Sequence, residues 1–139
     1  AQTDPARHSL PPGLAAARDG DLARIKELVA SGRVDPKTDA DRHGSTALHY
    51  AAGSGHLELC DYLIDVIGVS PTQAQPTDGR TALHWAARNG HLRICQLLVQ
   101  KGCDPNRGTH DGTRPLHWAI WQGRLPVAAW LVDVAGADL

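Results

Sequence analysis

Thr81-Ala82-Leu83-His84-Trp85-Ala86-Ala87-Arg88-Asn89-Gly90-His91-Leu92 decides how this chain is read, because the other informative stretches repeat it. It stands 35 residues earlier as Thr46-Ala47-Leu48-His49-Tyr50-Ala51-Ala52-Gly53-Ser54-Gly55-His56-Leu57, and 33 residues later as Arg114-Pro115-Leu116-His117-Trp118-Ala119-Ile120-Trp121-Gln122-Gly123-Arg124-Leu125. Self-similarity at that period marks a stack of short units, each burying its apolar face against the next. Gly20, Gly55, Gly90 and Gly123 punctuate the units.

Each unit reads as two helices around its glycine. Pro11-Pro12 opens the first helix, where proline is tolerated, and Gly20 closes it as a left-handed cap. Leu22 to Ala30 forms the second. The pair recurs with first helices beginning near Ala47, Ala82 and Pro115, and second helices near Leu57, Leu92 and Leu125. Between pairs run loops such as Asp35-Pro36 to Gly44 and Ser70-Pro71 to Gly79, built of turn residues. Thr46 and Thr81 precede their helices, where a hydroxyl satisfies an orphan amide.

The second helices of the intact units carry six apolar places: Leu57, Leu59, Cys60, Tyr62, Leu63 and Ile64, then Leu92, Ile94, Cys95, Leu97, Leu98 and Val99. Such a helix is sandwiched between neighbours. The first unit puts Arg24 and Glu27 at two of these places, as an N-terminal cap requires. The last unit keeps Leu125, Val127, Ala128, Trp130, Leu131 and Val132, so either the native protein continues or its outer face, with Leu125 and Trp130, is expected to be covered by something else.

The pattern Gly-x-Thr-x-Leu-His-x-Ala-Ala-x-x-Gly-His-Leu resembles the ankyrin repeat, with Gly44 to Leu57 and Gly79 to Leu92 as near-ideal copies. The first repeat has Leu14 where the motif has histidine, and the fourth has Arg114 where it has threonine. The resemblance covers about residues 10–139. It implies an all-α ankyrin-repeat solenoid of helix-turn-helix hairpins joined by projecting loops, with repeats near 10–40, 41–75, 76–108 and 109–139 and a flexible tail at 1–9. It also assigns Thr46, Leu48, His49, Gly55, Thr81, Leu83, His84, Gly90, Leu116, His117 and Gly123 to the structural motif. His49 and His84 then tie each helix to its loop and to the adjacent repeat, while Arg114 leaves His117 less well anchored. Tyr50, Trp85 and Trp118 are expected to pack between repeats.

In the family, partners lie across the loop tips and the concave first-helix face. Carried over, the partner-binding candidates are Arg18, Arg42, His43, Ser45, Asp78, Arg80, Arg88, Asn89, His110, Asp111, Trp121 and Gln122. Trp121 stands out, because an exposed tryptophan beside arginines is a typical interface anchor.

Lys plus Arg total 14 against 15 Asp plus Glu, for a net charge of -1, and no basic block exceeds two residues. That argues against direct nucleic-acid binding. No apolar run approaches the roughly 18 residues of a membrane span. Cys60, Cys95 and Cys103 are too scattered for a disulfide scaffold or a zinc site, which points to a soluble, reducing compartment, cytoplasmic by default. The chain contains no methionine, so the initiator is missing and a removed targeting segment would leave the organelle open. The eight histidines include pairs at template spacing, and no catalytic or phosphate-binding constellation is legible, so no metal, cofactor or small-molecule substrate is expected.

The expected function is a non-catalytic protein-protein interaction module, acting as an adaptor or an accessory subunit of a larger assembly. The alternative is the substrate-recognition segment of a larger enzyme, such as a kinase, ubiquitin ligase subunit or hydrolase, whose catalytic domain lies outside this chain. Asn106 resembles the loop asparagine that hydroxylases modify in the family.

Overall fold

The computed structural model describes residues 10–137. The tail expected at 1–9 lies outside the described residues, as do Asp138 and Leu139. Four helix pairs follow one another: α1 (Pro12–Asp19) with α2 (Leu22–Ala30), α3 (Ala47–Ser54) with α4 (Leu57–Tyr62), α5 (Ala82–Asn89) with α6 (Leu92–Gln100), and α7 (Pro115–Trp121) with α8 (Leu125–Asp133). Among the described residues there is no strand, only an antiparallel bridge between Ala40 and Thr46. The chain is an all-α solenoid.

First helices stack on first helices, α1 on α3, α3 on α5 and α5 on α7, while α4 packs on α6 and α6 on α8. Alanine makes the first row possible. Ala51, Ala52, Ala86 and Ala87 are wholly buried, so neighbouring axes approach with only a methyl group between them. Leu48 and Leu83 meet Leu59, Leu63, Ile94 and Leu98 of the second row, and one apolar cluster runs from Leu14 to Ala137. Each such leucine contributes about 1.5–3 kcal/mol by leaving water.

One of the two residues by which the second unit exceeds the third has a visible place. Thirteen positions separate Gly55 from Gly68, where twelve separate Gly90 from Gly102. The extra residue is absorbed by continuing α4 into a π-helical turn, Leu63–Ile67, closed by left-handed Gly68.

The two ends differ in chemistry. On α2, Arg24 and Glu27 are exposed and paired at 3.2 Å. At the other end Ile120, Leu125 and Val134 are 52%, 70% and 72% exposed, whereas Trp130 is half-buried against the core. Cys60, Cys95 and Cys103 are free and buried. Burial pushes the thiols of Cys60 and Cys95 up to about 12 and that of Cys103 up to about 11, which leaves them un-ionised and inert.

Candidate partner-binding groove

Two kinds of polar rung hold the first helices and loops in register. In the first, the Thr46 amide donates to His49 Nδ1 at 3.0 Å and the Thr81 amide to His84 Nδ1 at 3.0 Å. A backbone amide can only donate, so Nδ1 is the accepting nitrogen and Nε2 carries the proton. Nε2 then donates to the next loop, from His49 to the Arg80 carbonyl at 3.3 Å and from His84 to the Thr113 carbonyl at 3.1 Å. Both rings are buried, and burial holds their pKa values below the ordinary range, that of His84 down to about 4. The fourth repeat keeps more of this rung than Arg114 suggested. Its amide still donates to His117 Nδ1 at 2.9 Å, and the exposed His117 ring stacks on Trp121 with centroids 5.6 Å apart.

The second rung joins residues one repeat apart. His56 Nε2 meets the Arg18 carbonyl at 2.8 Å and His91 Nε2 the Gly53 carbonyl at 3.1 Å, and Arg124 Nε donates to the Arg88 carbonyl at 3.2 Å. The ring or stem lies directly over the preceding repeat's glycine. A Cβ on Gly55 would stand 2.7 Å from the His91 ring, whereas one on Gly123 would meet nothing within 4 Å.

Held this way, the first helices and loops enclose a groove of about 500 Å³ across repeats one to three. Arg18 and Asn89 border it, with Asp41, His43, Tyr50, Asp78, Arg80 and Trp85 between them. A hollow of about 220 Å³ continues it toward repeat four, between Asp78, Arg80, His110, Asp111 and Trp118.

The three rings expected to pack between repeats do meet the core or the preceding repeat, and they also form the groove's wall. Tyr50, Trp85 and Trp118 are half-buried along the groove, because the alanine-lined contact between first helices leaves no room for a ring. The Tyr50 hydroxyl donates to Asp41 Oδ2 at 2.6 Å, and Trp85 Nε1 donates to Gln75 Oε1 at 2.7 Å. The wall carries cations between its rings. Arg80 lies 5.7 Å from the Trp85 centroid and 5.2 Å from that of Trp118, and Arg88 lies 6.0 Å and 5.4 Å from the same two.

Not every candidate offers free surface. Ser45 lines the groove but is only 6% exposed, and its backbone exchanges bonds with Asp41 at 2.9 Å and 3.0 Å, so it also shapes the loop. Asn89 spends its amide on the Gly53 carbonyl at 2.7 Å. Arg18 is exposed and pairs with Asp19 at 3.1 Å, and Arg80 pairs with Asp78 at 3.3 Å. His43 is exposed at a tip whose carbonyl accepts from Thr77 at 3.0 Å. Arg42, His110, Asp111, Trp121 and Gln122 are exposed, with Trp121 at 62%. Asn106 is half-buried and reaches the Gly136 carbonyl at 3.3 Å.

Sequence reasoning missed Asp41 and Gln75. Asp41 accepts from the amides of His43 and Ser45 at 2.9 Å each. Burial works against its charge, but Tyr50 and these amides outweigh that and hold its carboxyl below the usual range. Its signal was the aspartate three places before the loop glycine, a turn-forming position. Gln75 is 2% exposed and had no local signal, since it earns its place through Trp85 ten residues on.

The geometry thus defines a class, a solenoid of helical hairpins with an aromatic and cationic concave wall. The class resolves to a family. A family model for ankyrin repeats (3 copies) matches residues 9–75 and again 66–139, and the chain belongs to the ankyrin-repeat family. Ankyrin repeats are generally protein-protein interaction modules, and the family is typically non-catalytic. A search of curated proteins found no match. Among the described residues no cluster of His, Cys, Asp and Glu is suited to hold a metal ion, and no helix is long and apolar enough to cross a membrane.

Proposed function

We propose that the chain is a non-catalytic adaptor or accessory subunit that holds a partner protein in its concave groove. The observation that carries this reading is the continuous wall from Tyr50 through Trp85 and Trp118 to Trp121, with half-buried rings in the groove and an exposed ring at its end. Rings flanked by arginines are the side chains that dominate interface energetics. The apolar end at Ile120, Leu125 and Val134 supports incorporation into an assembly, because a second covered surface suits a subunit better than a transient binder.

Photo-crosslinking separates the groove from the rest of the surface. A photoreactive residue placed at His43 or Gln122 should capture the partner, and one placed at Lys26 or Arg93, exposed on the second helices, should not. Trp121→Ala should weaken the captured complex by about 2 kcal/mol or more while leaving the melting curve in place. Capture from the second-helix positions alone would overturn the assignment.

A further inference from the structure

We infer that the segment held in this groove is acidic: a carboxylate of an extended partner peptide seats on Arg88, between the indoles of Trp85 and Trp118. The inference rests on the groove being the partner-binding face and adds the chemistry of what fills it.

Donors outnumber acceptors here. Two guanidinium groups interleave with two indoles, but only one has a counterion: Arg80 pairs with Asp78 at 3.3 Å, and Arg88 has no acidic partner among the described residues. The Nε of Arg88 and the Nε1 of Trp118 are both buried and without a hydrogen-bond partner. A guanidinium carries five donors and cannot shed its proton, so enclosing it between ring faces leaves donor capacity that a carboxylate meets more strongly than a neutral acceptor does.

The groove's own carboxylates are already engaged. Asp41 accepts from Tyr50, His43 and Ser45. The Asp78 carboxylate accepts from the Arg80 amide and pairs with its guanidinium, and Asp111 accepts from the hydroxyls of Thr109 and Thr113. These aspartates also argue against a polyanion. One unmatched guanidinium, on a groove whose loops carry three aspartates, in a chain of net charge -1, suits single carboxylates better than a run of phosphates. Trp121 packs edge-on against Trp118 at 5.7 Å, and its exposed ring supplies an apolar seat for a neighbouring side chain of the same peptide.

The test selects peptides from a displayed random library on the whole chain, on Arg88→Gln and on Trp121→Ala. The wild-type pool should be enriched in Asp and Glu together with large apolar residues, and the Arg88→Gln pool should lose the acidic enrichment. A selected peptide measured by fluorescence anisotropy should bind about tenfold or more weaker when its glutamates become glutamines. That swap alters only the ligand, so it reports even if a variant folds poorly. Equal binding of the glutamate and glutamine forms, with dependence on Trp121, would overturn the acidic inference and leave the groove reading standing. Selection of lysine-rich peptides, or binding of a single-stranded thymidine homopolymer in place of peptide, would overturn it as well. No selectable peptide, together with crosslinks confined to the second helices, would sink both.

Discussion

His84 shows how one side chain can be scaffold and liability together. Its ring is 2% exposed, accepts from the Thr81 amide and donates to the Thr113 carbonyl, a pattern available only to neutral imidazole. An unfolded histidine takes its proton near pH 6.5, whereas His84 in the fold does not until about 4, because burial disfavours the charge. Between those values the unfolded state binds more protons, so stability is full above about pH 6.5 and falls as the pH drops toward 4, by roughly 3 kcal/mol in all. Urea unfolding at a series of pH values should show this slope, and His84→Gln should be less stable but flatter. An unchanged slope in the variant would move the effect elsewhere. Asp111, held at about 2 by Thr109 and Thr113, contributes only below this window. The role of His84 was legible because the motif repeats it. The roles of Trp85 and Trp118 were legible in part: each meets the preceding repeat as expected, but a sequence marks them as apolar without revealing that they stay only half-buried along the groove.

At the scale of the helix pair, fit is decided by the glycine that ends each first helix and the side chain that lies over it from the next repeat. Gly55 and Gly123 share a left-handed backbone, with φ of 87° and 70°, so alanine at either carries a strain of about 1–2 kcal/mol. They differ in space. A Cβ at Gly55 would lie 2.7 Å from His91 Cε1 and 2.9 Å from Nδ1, and would push the ring off its bond to the Gly53 carbonyl, while at Gly123 it meets nothing. Gly55→Ala should therefore cost about 1–3 kcal/mol more than Gly123→Ala, the range of overpacking. Equal losses in thermal denaturation would show that the rung carries no energy. The sequence made the glycine spacing plain, and with it the helix pairs. It did not reveal that one of the two extra residues in the second unit enters a helix as a π-helical turn, because α-helical and π-helical continuations share one apolar pattern.

In the whole molecule each pair touches only its neighbours, so stability is set by how many interfaces a pair has. Pair α5 and α6 is flanked on both sides and contributes Leu83, Ala86, Ala87, Ile94 and Leu98, each 2% exposed or less. Pair α7 and α8 is flanked on one side among the described residues, and its open face carries Ile120, Leu125 and Val134 at 52% exposure or more. Among the described residues no following loop gives His117 the carbonyl that His49 and His84 have, and no ring lies above Gly123. The first pair is open too, but its outer helix meets water with Arg24 and Glu27. Opening the last pair therefore breaks one interface and costs less than global unfolding. Hydrogen exchange read by mass spectrometry should find the amides of α7 and α8 exchanging well before those of α5 and α6, with protection rising when a partner covers Ile120 and Leu125. Uniform protection along the stack would mean that the four pairs open as one unit, and that the apolar end contributes nothing to the order in which they part.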